Sequence, residues 1–422
     1  MNTTTRSLYE VQMAVADMAF CMMRRGIPID ANQIAALKDE IEAQRRKRHR
    51  IVNEFLEHPV PTTFFGSPKQ IKETFDTLGA KPGTNRKTKA ASFDDEALFR
   101  ISIQLPDLAP LCYAIIEYRS LGTMLSNFIK AKLEPGGLLR TSYNTAGPET
   151  FRWSSSENVF YRGCNVQNIT TGDRCLTGAV LPNLRTAIVP PSGYLLIEPD
   201  LAGADAQVVA WDSGDELLKQ IFREGRKPHA ERAKWIYGAS AGLDGKREPY
   251  YTLAKKGSHA YHYGATPRTV AASLGITVQE AERFRARLWS MHPDIPKWQR
   301  DVERQLYAKR MVTNAFGYRC VYLDRPGNAL PQALAWLGQG TVACVVNRVM
   351  LLMEEELPEV VMFLQNHDSF GALVLETAWA ALKPRVREQF QKVVVPYPDP
   401  LIIPAELKTS PISWGHMEKE PW

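Results

Sequence analysis

Cysteine is scarce and scattered. The 422 residues hold six, Cys21, Cys112, Cys164, Cys175, Cys320 and Cys344, and no two stand as Cys-x-x-Cys. That spacing excludes a Cys-x-x-Cys metal or redox centre and favours reduced thiols in a cytosolic protein. Unbroken apolar runs are missing too. The most apolar stretch, "LAWLGQGTVACVVNRVMLLM" at residues 334–353, is interrupted by Gln339, Asn347 and Arg348. It reads as a buried helix and not a membrane span, so no membrane partner is expected. The start, "MNTTTRSLYE", lacks the basic-then-apolar layout of a secretory signal, and a cytoplasmic location is expected. A strong excess of one charge is absent as well: 52 Lys and Arg against 46 Asp and Glu leave +6. That is a weak pull on nucleic acid by itself. No internal repeat or low-complexity tract appears. What remains is a 44% apolar chain long enough for two or three domains with a real core.

Residues 8–56 read as helical, with Ile34, Leu37, Ile41, Ile51, Val52 and Phe55 on one apolar stripe. Two basic clusters, "RRKRHR" at 45–50 and "NRKTK" at 85–89, could grip a phosphate backbone, and Lys69 in "GSPKQ" would extend that surface. Taken alone, a charge run of this kind is a solvated helix face. From residue 139 to about 200 the pattern turns strand-like in "LLRTSYNT" and "YLLIEPD", around a polar, irregular segment. Helices return over 211–310, where Thr277 and Glu280 have capping-box spacing. Strand-like "MVTNAFGYRCVYLD", a long apolar helix over 332–355 and a hairpin follow. The order implies a sheet domain interrupted by a helical insertion.

The hairpin is "FLQNHDSFGAL", with His367 and Asp368 at its tip. A carboxylate there loses hydration on both flanks, which a cation can offset; a self-capping turn is the plainer reading. Asp200 also ends an apolar strand. Two strand-end carboxylates on neighbouring strands repel unless one is protonated or a cation lies between them. Paired Mg2+ ions held by such carboxylates serve phosphoryl transfer and complete their shells with substrate phosphates and water. The insertion adds a cationic companion: Tyr251, Lys255, His259 and Tyr263 recur every four residues and share one helix stripe. A lysine with aromatic rings above it suits a nucleoside triphosphate.

These segments resemble the polymerase module of family A DNA polymerases, the bacterial DNA polymerase I type. "GSPKQIKETFDTLGA" is similar to the family's thumb segment, and "IIEYRSL", "LLRTSYNTAGPETFRWSS" and "NVQNI" to the approach to its palm. "IEPDLAGADAQ" resembles the first metal motif, "LAKKGSHAYHYG" the finger helix, "LGQGT" the palm helix and "LQNHDSFGAL" the second metal motif. The likeness covers nearly the whole chain, and its strength lies in the order and spacing of the motifs. It implies an α+β fold of right-hand shape, with an antiparallel palm sheet and helical fingers. The implied layout is a helical lead over 1–24 packing on the palm, a thumb over 25–130, palm over 131–210, fingers over 211–310 and palm again over 311–422.

The implied activity is template-directed addition of dNTPs to a primer by two-metal-ion transfer. Asp200, Leu201 and Asp368 would hold two Mg2+ ions, for which Mn2+ can substitute. Lys255 and His229 would contact the triphosphate, and His259, Tyr263 and Asp205 would border the nucleotide. Arg152, Gln339 and His367 would meet the primer–template, with Gln167, Asn168 and Lys69 supporting it. Primer–template DNA is the partner, and a monomer is the default. Proofreading and 5′-nuclease domains precede the thumb in the family and are not expected within the short lead before "GSPKQ"; a separate exonuclease or processivity subunit, or a longer protein of which this chain is a piece, could supply them.

Several residues depart from the family's pattern. Asp205 stands where most members carry Glu, one methylene longer, which implies weaker exclusion of ribonucleotides. His259 replaces a stacking Phe or Tyr. Tyr251 stands where a phosphate-binding Arg is common, with Lys246, Arg247, Lys256 and Arg268 as substitutes. Ser369 replaces a Glu, and Glu198, two residues before Asp200 on the same strand face, could supply a carboxylate; an exposed strand-end Glu is the plainer reading. These departures point to a divergent branch, of phage or mobile-element origin. A single-subunit RNA polymerase shares the architecture, but its gate residue is typically small. An inactive nucleic-acid-binding relative and an unrelated two-metal nuclease are the remaining readings. The first would not need Asp200, Lys255, Tyr263, His367 and Asp368 together, and the second would not need the Lys-His-Tyr stripe.

Overall fold

The computed structural model describes residues 6–81, 83–84, 91–173, 175–238 and 249–422. The "NRKTK" cluster, Lys246 and Arg247 lie outside the described residues. Fourteen α-helices run through the described chain: α1 Leu8–Arg25, α2 Ala31–Leu56, α3 Pro68–Thr77, α4 Asp95–Gln104, α5 Ala109–Met124, α6 Ala204–Ser213, α7 Glu216–Arg223, α8 Pro228–Tyr237, α9 Pro249–His262, α10 Pro267–Leu274, α11 Val278–Met291, α12 Asp294–Lys309, α13 Pro326–Glu356 and α14 Glu376–Lys392.

The stretch expected to be helical over 8–56 is two helices. Gly26, at φ 74°, ends α1, and a side chain at this position would meet the Arg140 stem at 3.1 Å. Asp30 then starts α2 by accepting from the amides of Asn32 and Gln33. Between them Ile27–Pro28 pairs with Leu138–Leu139 in a separate two-stranded sheet.

The central sheet has five antiparallel strands: β1 Tyr194–Leu201, β2 Val361–Asn366, β3 Ser369–Leu375, β4 Ala405–Ser410 and β5 Glu418–Glu420, in the order β2-β3-β1-β4-β5. β1 is the middle strand, so its neighbours come from the far end of the chain. The main core gathers the sheet's apolar side chains with α1, α6, α12, α13 and the first half of α2. The helix α13 is long and apolar enough to cross a membrane, and it is a core helix here: Leu334, Val342, Val346, Val349 and Met350 are buried in the protein. Its polar interruptions are used. Asn347 accepts from the Trp153 indole at 2.9 Å, and Arg348 lies over the Phe316 ring at 4.2 Å.

Two smaller cores stand apart from the first. One joins Val52, Phe64, Phe65, Ile71, Phe75, Leu98, Leu111 and Ile115 from the end of α2 through α5. The other joins Ile236, Tyr261, Val270, Phe284 and Leu288 from α8 to α11. Thr277 and Glu280 form the expected capping box at the start of α11. The flanks of this helical insertion, α6 and α12, belong to the main core.

Candidate active site

The sheet register brings the two aspartate motifs together. Ser369 on β3 pairs with Asp200 on β1, and the Leu201 amide donates to the Asp368 carbonyl at 3.0 Å. Asp368 and His367 form the two-residue tip between β2 and β3, with His367 in the left-handed region at φ 61°. Burial and the neighbouring Asp368 push the Asp200 carboxyl above the ordinary range; burial, Asp205 and Glu198 do the same to Asp368. Leu201 is buried, so its side chain offers a cation nothing and only its backbone carbonyl can contribute.

A second layer of charge surrounds this pair. Arg152 stands 3.7 Å from the Asp205 carboxylate and lowers the Asp368 carboxyl against the larger effect of burial. Glu198 is buried, at 5% side-chain exposure, which overturns the reading of an exposed strand-end residue. It accepts from the Ser369 hydroxyl at 3.3 Å, and the Lys408 ammonium lies 4.0 Å away.

The helical insertion closes one side. Lys255 and His259 are exposed on α9, and Tyr263 follows just past its end. The His259 and Tyr263 rings meet edge-on at 4.7 Å between centroids. Tyr263 is held protonated by burial and by the Asp205 carboxylate beside it. It lies on α13 at Gly338, where a side chain would meet the Tyr263 hydroxyl at 2.9 Å. The stripe is less uniform than its spacing suggests. Tyr251 is buried and meets the His229 ring edge-on at 5.9 Å. His229 is pushed down to about 3 by burial and by the nearby Arg232 and Lys255 charges, so it is neutral. Lys256 and Arg268 are exposed.

Sequence reasoning missed the residue that holds the hairpin tip. Gln365 is 1% exposed. Its side-chain amide donates to the His367 carbonyl at 2.9 Å, and its oxygen accepts from Gln167 at 2.9 Å. Gln167 also donates to the Trp153 carbonyl at 3.0 Å, so its amide is engaged within the protein. The signal for Gln365 was a polar residue inside the apolar run "VMFLQN". Asn168 is exposed at the rim of a cleft lined by Ser120, Thr123 and Asn127 together with the apolar Phe128, Ile169 and Leu181. Gln339 is half-buried on α13, one residue from Gly338. Lys69 is exposed, with Glu73 3.9 Å away.

The "RRKRHR" run divides between inside and outside. Arg45 stacks on Tyr118 at 4.2 Å, Arg48 pairs with Glu117 at 2.9 Å and His49 contacts the Val60 carbonyl at 2.7 Å. Arg46, Lys47 and Arg50 remain exposed.

The donor set suits hard divalent cations. Asp368 disfavours ionisation of Asp200, and Asp205 and Glu198 disfavour that of Asp368, a repulsion that a cation at the carboxylates would offset. Among the described residues no three His, Cys, Asp or Glu side chains converge on one point. A cation held here would complete its shell with water or substrate oxygens, as Mg2+ does and a closed structural zinc site does not.

Comparison with known proteins identifies the family and the fold. The family model for DNA polymerase family A matches residues 31–410. The thermostable DNA polymerase I of Thermus filiformis is 29% identical over 418 residues, covering 94% of this chain and 47% of its own length. DNA polymerase I of Pseudomonas aeruginosa is 25% identical over 392 residues, covering 88% of this chain and 40% of its own. The chain thus spans about half the length of the curated relatives it matches. The POL domain of Pol1 from M. smegmatis, solved in complex with DNA primer-template and dNTP, superposes with a TM-score of 0.82 at 22% identity over 98% of this chain and 71% of that one. The fold is the right-hand polymerase fold.

Proposed function

The chain belongs to DNA polymerase family A, and on that footing we propose that it extends a primer 3′-hydroxyl with dNTPs on a DNA template. The observation that carries the proposal is the union of Asp200 and Asp368 at one end of the central sheet through the Leu201–Asp368 hydrogen bond. Asp200, Asp368 and the Leu201 carbonyl would hold two Mg2+ ions, with Mn2+ able to substitute. Bound there, the ions would lower the pKa of the primer hydroxyl and offset the charge on the triphosphate.

The chain's own groups account for the rest. Lys255 extends from α9 into solvent, where it can meet the triphosphate and stabilise charge on the leaving oxygens. His229 is neutral and can donate one hydrogen bond to the same phosphates. Tyr263, seated on Gly338, supplies a flat wall beside the nascent base pair, and His259 forms the adjoining edge. Asp205 is pinned between Arg152 and Tyr263, where it can crowd a 2′-hydroxyl. His367 presents its ring at the hairpin tip, suited to the primer end, and burial with the nearby Arg152 charge keeps it neutral. Asn168, Gln339 and Lys69 would touch the primer–template. Gln167 would act indirectly, by bracing the tip through Gln365.

The protein is proposed to act as a cytoplasmic monomer, helped by a separate exonuclease or processivity subunit. Extension of a labelled primer on a DNA template with Mg2+, comparing dNTPs with rNTPs, tests the activity. Salt-sensitive DNA binding without extension by either would favour an inactive relative.

A further inference from the structure

One cation at the carboxylate edge is supplied by the protein itself. On β4, Lys408 pairs opposite Glu198 and Glu406 opposite Asp200. With a strand's period of two, these four side chains share one face of the sheet. The Lys408 Nζ lies 3.4 Å from the Asp200 Oδ2 and 4.0 Å from the Glu198 Oε2. A single ammonium on a flexible stem therefore has two carboxylates within reach. The two are not equivalent. Glu198 is buried, with the Ser369 hydroxyl 3.3 Å from it and equally near the Asn366 carbonyl, whereas Asp200 is 36% exposed at the sheet end it shares with Asp368.

We propose that Lys408 is a positioning residue that competes with divalent metal for Asp200 and withdraws to Glu198 when Asp200 is engaged. Glu198 is then not a metal ligand but the alternative seat of the ammonium. Together the two residues set how much divalent ion the site requires. The same arrangement explains why a carboxylate is tolerated in the sheet interior beneath the site: it is paired in either state, and an unpaired one would be costly. The inference rests on the reading of Asp200 as a metal ligand.

Mn2+ binding to the full chain without nucleotide, followed by electron paramagnetic resonance, tests it. Lys408→Met is expected to tighten the site by about fivefold or more, as removal of a competing partner should. Glu198→Gln is expected to weaken it by about threefold in the parent and by less than about half that in the Lys408→Met background. Lys408→Arg, which keeps the charge, should stay near the parent. In primer extension, the Mg2+ concentration for half-maximal rate should fall in Lys408→Met. Unchanged or weaker Mn2+ binding in a folded Lys408→Met variant overturns the proposal, as does an equal cost of Glu198→Gln in both backgrounds. Intact Mn2+ binding in Asp200→Asn would instead overturn the metal reading itself.

Discussion

The Gln365 side-chain amide donates to the His367 carbonyl across 2.9 Å, and its oxygen receives Gln167 at the same distance. One buried glutamine thus ties the tip that carries Asp368 to the segment that reaches across from Trp153. Gln365→Leu leaves the Gln167 amide short of one partner and the His367 carbonyl short of its donor. The expected destabilisation is about 1–3 kcal/mol, measured by denaturant unfolding. Primer extension should lose roughly ten- to a hundredfold in kcat, because a small displacement of the tip proposed to hold metal is expensive. A variant with parent kcat would show that the tip holds its place without Gln365.

Asp205 is the residue proposed to select the sugar. Its carboxylate lies 3.7 Å from Arg152 and stands beside Tyr263. Asp205→Glu adds one methylene and should raise the dNTP-to-rNTP ratio of kcat/KM by about tenfold, and Asp205→Ala should lower it. Single-nucleotide insertion kinetics measure both. Equal ratios in all three proteins would remove Asp205 from sugar selection.

Three buried histidines make the helical insertion sensitive to acid. Burial lowers His229 to about 3, and lowers His262 and His292 as well. Below their unfolded pKa of about 6.5, the unfolded chain takes up protons that the folded chain refuses. Stability is therefore full above that pH and is lost as pH falls, by up to about 1.4 kcal/mol per pH unit for each histidine. Melting temperature should drop between pH 7.5 and 5.5, and His262→Phe should flatten the slope. A melting temperature independent of pH over this range would contradict the assignment of neutral histidines.

The basic run on α2 separates into an exposed half and a half engaged within the protein. Replacing the exposed Arg46, Lys47 and Arg50 with Ala should weaken primer–template binding and reduce the salt slope by up to about 2–3. Arg48→Ala, which breaks the 2.9 Å pair with Glu117, should instead lower the melting temperature with little change in slope. Equal slopes in the triple variant and the parent would place the DNA contact elsewhere.

Much of this was legible in the chain because it is local. Helix starts at Thr277 and the polar breaks in α13 are written in neighbouring residues, and so is the hairpin tip at Asp368. The union of Asp200 with Asp368 was inferred from two strand ends and from motif order, and the register confirms their proximity. The burial of Glu198 was not legible, because it depends on β3 and β4 flanking β1 from 170 and more residues away. Lys408 was invisible for the same reason: only strand pairing places it opposite Glu198. The division of "RRKRHR" into inward and outward charges needed the positions of Tyr118 and Glu117 on α5. Helical spacing gave the α9 stripe but not the burial of Tyr251 within it.

Primer extension by Asp200→Ala and Asp368→Ala, run beside the parent with Mg2+ and dNTPs, tests the central claim most directly. The account predicts template-directed extension by the parent, loss of at least about a thousandfold in each variant, and primer–template binding retained in both. Extension that survives either substitution in a variant that still binds DNA would contradict the two-carboxylate mechanism.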